Sequence, residues 1–114
     1  MRIERPPIIT NPNTGKTSNQ VYQNTSGRYM MVIADVNFEA TLATDIAVIT
    51  CQVDDTNPPV TPVAFSGIYS HSAGLMQIAQ SLVFIVPPLY YWRLFENTFG
   101  SGAVGVSMIS ETLL

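Results

Sequence analysis

Charge is scarce in this chain of 114 residues: only 11% of its positions are Asp, Glu, Lys or Arg, against roughly 25% in ordinary soluble domains. Five basic and eight acidic residues leave a formal net charge of −3. No basic stripe exists to neutralise a phosphate backbone or an anionic bilayer, which argues against nucleic acid and membrane as partners. Cys51 is the single cysteine, so the chain forms no intrachain disulfide and offers no thiolate cluster for zinc or iron–sulfur ligation. Long apolar runs are missing too. "LVFIV", residues 82 to 86, stops at Pro87 and Pro88, far short of the ~20 residues that span a bilayer. The opening "MRIERPPIIT" lacks an apolar stretch of signal-peptide length, so the expected place of synthesis and assembly is a cytoplasm.

Apolar residues, by contrast, make up 46% of the chain. A domain of this size supports one core, and such a composition leaves uncharged surface that is expected to meet another chain.

Residues 1–20 carry Pro6, Pro7 and Pro12 with no helical or strand period, and read as an extended N-terminal arm. Its aliphatic residues Ile3, Ile8 and Ile9 suit docking on a neighbouring subunit. From 21 to 114 the pattern is that of strands. A turn on Asn24-Thr25-Ser26-Gly27 leads into a long strand whose core face is Met30, Val32, Ala34, Val36 and Phe38, with Tyr29, Met31 and Ile33 on the other face. "DIAVITCQVDD" gives a second long strand, and the prolines of "DDTNPPVTP" enforce a loop. "VAFSGIYS" gives a short strand broken at Gly67. "AGLMQIAQSL" fits either a strand or a short helix, and strand is favoured. "LYYWRLFE" is an aromatic strand. "AVGVSMIS" is the last, with Val104, Val106 and Met108 on one face. About seven or eight strands separated by turn signals, without a long helix, predict an all-β fold: an antiparallel β-sandwich of jelly-roll type with an extended N-terminal arm.

Chemistry is harder to find. Gly100, Gly102 and Gly105 spell G-x-G-x-x-G, but a dinucleotide site needs a following helix and second strand, and only nine residues remain after Gly105. The glycines are expected to turn the chain into the last strand, with Gly105 marking a bulge or a close approach. His71, the single histidine, would have to serve any Ser–His or Cys–His mechanism, while Cys51 sits mid-strand among aliphatics. Asp54 and Asp55 lack the further oxygen ligands that calcium requires. Asp35, Glu39, Asp45, Glu96 and Glu111 are scattered singly and are expected to keep strand ends soluble. No catalytic, cofactor or metal site is expected. The aromatic cluster Tyr90, Tyr91, Trp92 and Phe95 carries most content, because neighbours in a strand face opposite ways and one sheet surface cannot hide all four. Tyr90 and Trp92 therefore join Tyr29, Met31 and the arm isoleucines as expected interface residues.

Two stretches, "VYQNTSGRYMMVIADV" and "IVPPLYYWRLFE", resemble the small β-sandwich proteins of tailed-bacteriophage virions, found as capsid decoration proteins and in head- and tail-fibre modules. The resemblance implies a virion structural protein without enzymatic activity, a homotrimer in many cases, assembled in a bacterial cytoplasm with the major capsid protein or other virion subunits as partners. A capsid decoration or cement protein is the leading expectation. A fibre module is the alternative, touching host glycan with "DDTNPPVTP" and "IYSHSAG" at one end of the sandwich. A small hydrolase centred on His71 is a third reading.

Overall fold

A computed structural model describes residues 7–70 and 73–114. It contains β1 (Ile9–Asn11), β2 (Tyr22–Gln23), β3 (Met30–Ala40), β4 (Ile46–Asp54), β5 (Pro62–Tyr69), β6 (Met76–Val86), β7 (Tyr91–Phe99) and β8 (Ala103–Leu113). Two four-stranded sheets form, in the orders β1-β8-β3-β6 and β2-β7-β4-β5, with every pairing antiparallel. β1 pairs β8, β2 pairs β7, β3 pairs β6 and β4 pairs β5. The chain is thus one long antiparallel ribbon rolled upon itself, which is the jelly-roll sandwich that the strand count predicts.

Alternation makes these strands. On β3, Met30, Val32, Ala34, Val36, Phe38 and Ala40 are all buried, while the residues between them lie half-buried or exposed. Across the sandwich Ala47, Ile49, Cys51 and Val53 of β4 face them, and Trp92 and Leu94 of β7 complete the centre. Trp92 is fully buried, with the Tyr22 ring 5.0 Å and the Phe84 ring 5.7 Å from it, centroid to centroid. The stretch that could have been a helix is β6, paired with β3 at eleven successive positions from Met76 to Val86. Only that arrangement sends Leu82, Phe84 and Val86 together into the core.

Three local expectations change. β5 runs unbroken through Gly67, because a Cβ there would lie 2.3 Å from the Ala47 carbonyl oxygen and 2.7 Å from Val48 Cα. Glycine is what allows β5 to close on β4. Gly105, in contrast, has open space around it, and the close approaches belong to Gly67, to Gly100 and to Gly102, whose Cβ would meet the Ile46 carbonyl at 2.0 Å. The bulge of β8 falls at Ser107: Asp35 pairs with Met108 and Val36 with Val106. One extra residue reverses the facing of the positions beyond it. Val104 and Val106 therefore pack on the core, while Met108 turns outward and is 39% exposed.

Residues 7–20 lie along their own sandwich: β1 pairs with the end of β8, Thr14 donates its N–H to the Ile109 carbonyl (2.9 Å), and Asn19 donates to Leu94 (2.7 Å). This stretch crosses from the β8 edge to the β7 edge and closes that side. The opposite side ends in β5 and β6, which are the outer strands of their sheets.

Candidate interaction surfaces

Polar side chains that could suggest chemistry are consumed by structure. Asp45 is buried rather than solvating a strand end. Its carboxylate accepts the N–H groups of Thr41 (3.0 Å), Leu42 (2.8 Å) and Ser101 (3.0 Å), and the Ser101 hydroxyl as well. The Ser101 hydroxyl and these backbone donors hold its pKa down at about 2. Asp54 accepts the Thr61 hydroxyl (2.6 Å) and the N–H groups of Val60 and Thr61, which lower its pKa. Glu111 pairs with Lys16, Glu96 accepts from Ser18, and Asp35 accepts from Ser81 at 2.6 Å. Asn24, buried between loops, donates to the carbonyls of Arg28 (2.7 Å) and Val86 (2.9 Å).

Cys51 is fully buried, and burial pushes its thiol up to about 12. A thiol so protected is not a nucleophile near neutrality. His71 lies outside the described residues. Among the described residues no three His, Cys, Asp or Glu side chains gather as a metal site. The loops "DDTNPPVTP" and "IYSHSAG" do not share an end of the sandwich. The first follows β4 and is held near β7 by Arg93, which donates to the Pro59 carbonyl (3.2 Å). The second follows β5 and meets the loop after β3, where Thr44 donates to Ser70 and Gly74 to Thr41, both at 2.9 Å.

What remains are the sheet faces. On the outer face of the β1-β8-β3-β6 sheet, Met31 stands beside Ile85 and Ile33 beside Val83 in adjacent cross-strand pairs. Val83 is 53% and Ile85 44% exposed, and Tyr29, one position before β3, is 56% exposed. These apolar pairs adjoin the open edge of β6, whose eleven residues include neither a charge nor a proline. Such an edge lacks the devices that ordinarily discourage strand pairing.

The outer face of the β2-β7-β4-β5 sheet is more aromatic. In one cross-strand row Ile46 lies between Tyr69 and Phe99, and two rows away Thr50 lies between Phe65 and Phe95. All four rings are substantially exposed, Phe65 most of all at 70%. Between the rows Val48 is buried, with Gly67 beside it on β5 and the exposed Asn97 beside it on β7.

Of the residues expected at an interface, Tyr29 and Met31 do occupy an outer face, and Ile8 and Ile9 are exposed near the edge formed by β1. Ile3 falls outside the described residues. Trp92 is in the core, and Tyr90 is partly buried against the same cluster; their facing sends them inward with Leu94 rather than to a surface. Phe65, Tyr69 and Phe99 were not anticipated. Their signal was the shared parity of Phe65 with Tyr69 on β5 and of Phe95 with Phe99 on β7, each pair four residues apart.

No known protein family, curated protein or solved structure matches the chain.

Proposed function

We propose that this protein is a structural subunit of a bacteriophage virion, a capsid decoration or cement protein that acts by binding and not by catalysis. The observation that carries the reading is the apolar outer face around Met31, Ile33, Val83 and Ile85, continuous with the uncharged edge of β6. A jelly roll buries its core between its two sheets, so aliphatic pairs left this exposed outside that core suit contact with another protein. The mechanism is mechanical: a specific contact buries ~1,600 Å², and repeating it over a shell ties capsomers together through multivalency. Ile8 and Ile9 lie near the other edge of the same sheet, at β1, and residues 7–20 serve their own sandwich.

Co-sedimentation with purified phage capsids tests the reading. The chain pellets with capsids, and Val83→Lys together with Ile85→Lys reduces the bound fraction at least tenfold while the far-ultraviolet circular dichroism stays unchanged. A folded chain that stays in the supernatant overturns it.

A further inference from the structure

We propose that the outer face of the β2-β7-β4-β5 sheet pairs with the same face of a second copy of this chain about a two-fold axis. The inference rests on the structural-subunit reading and names the partner of the subunit's other face.

Area is the first argument. Phe65, Tyr69, Phe95 and Phe99 are 70%, 57%, 41% and 62% exposed, and with ~200 Å² for each full aromatic side chain they present about 450 Å² of ring surface. A stable interface takes ~800 Å² from each partner, rather more than half of it apolar. Four residues on one face thus supply the apolar share of one complete interface.

Shape is the second. Along β5 and along β7 the ringed positions are four residues apart, about 13 Å, and the two strands are two sheet spacings apart, about 10 Å. The rings stand near the corners of a rectangle with Gly67, the buried Val48 and Asn97 across its middle. Two such faces related by a two-fold axis bring ring rows of the same spacing against each other. An isologous contact requires this kind of self-complementary pattern.

Charge is the third. The two charged residues bordering the rectangle are occupied within the chain: Arg93 donates to Gln52 at 2.9 Å with its guanidinium 5.0 Å from the Phe95 centroid, and Asp54 is taken up by Thr61 and Val60. Like charges are therefore not forced together when the face meets its own copy.

Size-exclusion chromatography with light scattering on the full chain tests the pairing. The expected mass is twice 12.5 kDa, and it persists from about 0.1 to 1 M salt because the contact is uncharged. Phe65→Lys and, separately, Phe99→Lys give a single-chain mass with an unchanged circular dichroism spectrum. Val83→Lys, on the opposite sheet, leaves the doubled mass. A wild-type mass of one chain or three, or a doubled mass that survives both ring substitutions, overturns the proposal. The capsid assay separates the two ideas: a paired chain that ignores capsids overturns only the capsid reading, and a single chain that binds them overturns only the pairing.

Discussion

The carboxylate of Asp45 accepts both the backbone N–H and the hydroxyl of Ser101, 56 positions further along the chain. These bonds tie the loop between β3 and β4 to the turn between β7 and β8, and so fasten one sheet to the other at one end of the sandwich. The turn is shaped around the carboxylate. Gly100 has a φ of +68°, and a Cβ there would lie 2.2 Å from Asp45 Oδ1.

Asp45→Asn should therefore destabilise the fold, because an amide cannot accept from every donor that the carboxylate gathers. We expect Tm to fall by roughly 5–10 °C near neutral pH. The folded pKa of about 2 lies below the ordinary value of 3.8, so the stabilisation is complete above that ordinary value and is lost as pH falls through about 2. Thermal melts from pH 7 down to pH 2 should show the wild type and Asp45→Asn converging in acid. Parallel curves would show that the charge of Asp45 is not what holds the two loops.

Two glycines on strands should respond in opposite ways. Gly67→Ala drives a methyl group into the Ala47 carbonyl and Val48 Cα, both backbone atoms that cannot turn aside, and should cost at least 1–3 kcal/mol. Gly105→Ala meets nothing within 4 Å and should leave stability unchanged or raise it by about 0.4–1 kcal/mol, since alanine restricts the unfolded chain. Urea titrations of both variants measure the difference. Equal effects would contradict the register of β4 on β5.

The contrast between these glycines shows which parts of the fold were legible in the sequence. β3 was legible because Met30 to Phe38 place apolar side chains on alternate positions over a length that only a strand explains. The face of Met108 was not, since the bulge at Ser107 reverses it and nothing in "VSMIS" marks an extra residue. Asp45 resembled any exposed acid at a strand end, because its donors come from loops that meet only once both sheets are folded. The aromatic face stayed hidden for a related reason: β5 and β7 carry apolar residues on both sides, and large rings look like core until the register places Phe65 and Phe95 on either side of Thr50.

Cys51 gives a probe of the core. Its thiol is buried and shifted up to about 12, so a disulfide reagent at pH 8 should leave the native chain unmodified and react with one equivalent on unfolding in denaturant. The single tryptophan, Trp92, reports the same event. Its emission should be blue-shifted and shielded from acrylamide in the native state, then move red as the thiol becomes reactive. Modification of Cys51 before the fluorescence change would place β4 in a less stable part of the fold than β7.

Asn24 should matter more than an exposed turn residue would. Its amide donates to the carbonyls of Arg28 and Val86, its side-chain oxygen accepts from the Ser26 N–H (3.1 Å) and hydroxyl (2.7 Å), and its backbone bonds Tyr90 and Leu89. The loop before β3 is thereby fixed to the loop between β6 and β7. Asn24→Ala leaves the Val86 carbonyl without this donor in a buried position, which should cost about 1–3 kcal/mol. Thr25→Ala, next to it and exposed, should change stability by less than about 0.5 kcal/mol. Because the Asn24 side chain is buried and belongs to neither proposed contact face, Asn24→Ala should lower the denaturation midpoint while the mass of the folded protein and its binding to capsids stay as in the wild type. Loss of either below the midpoint would mean that the loops it joins belong to a contact surface.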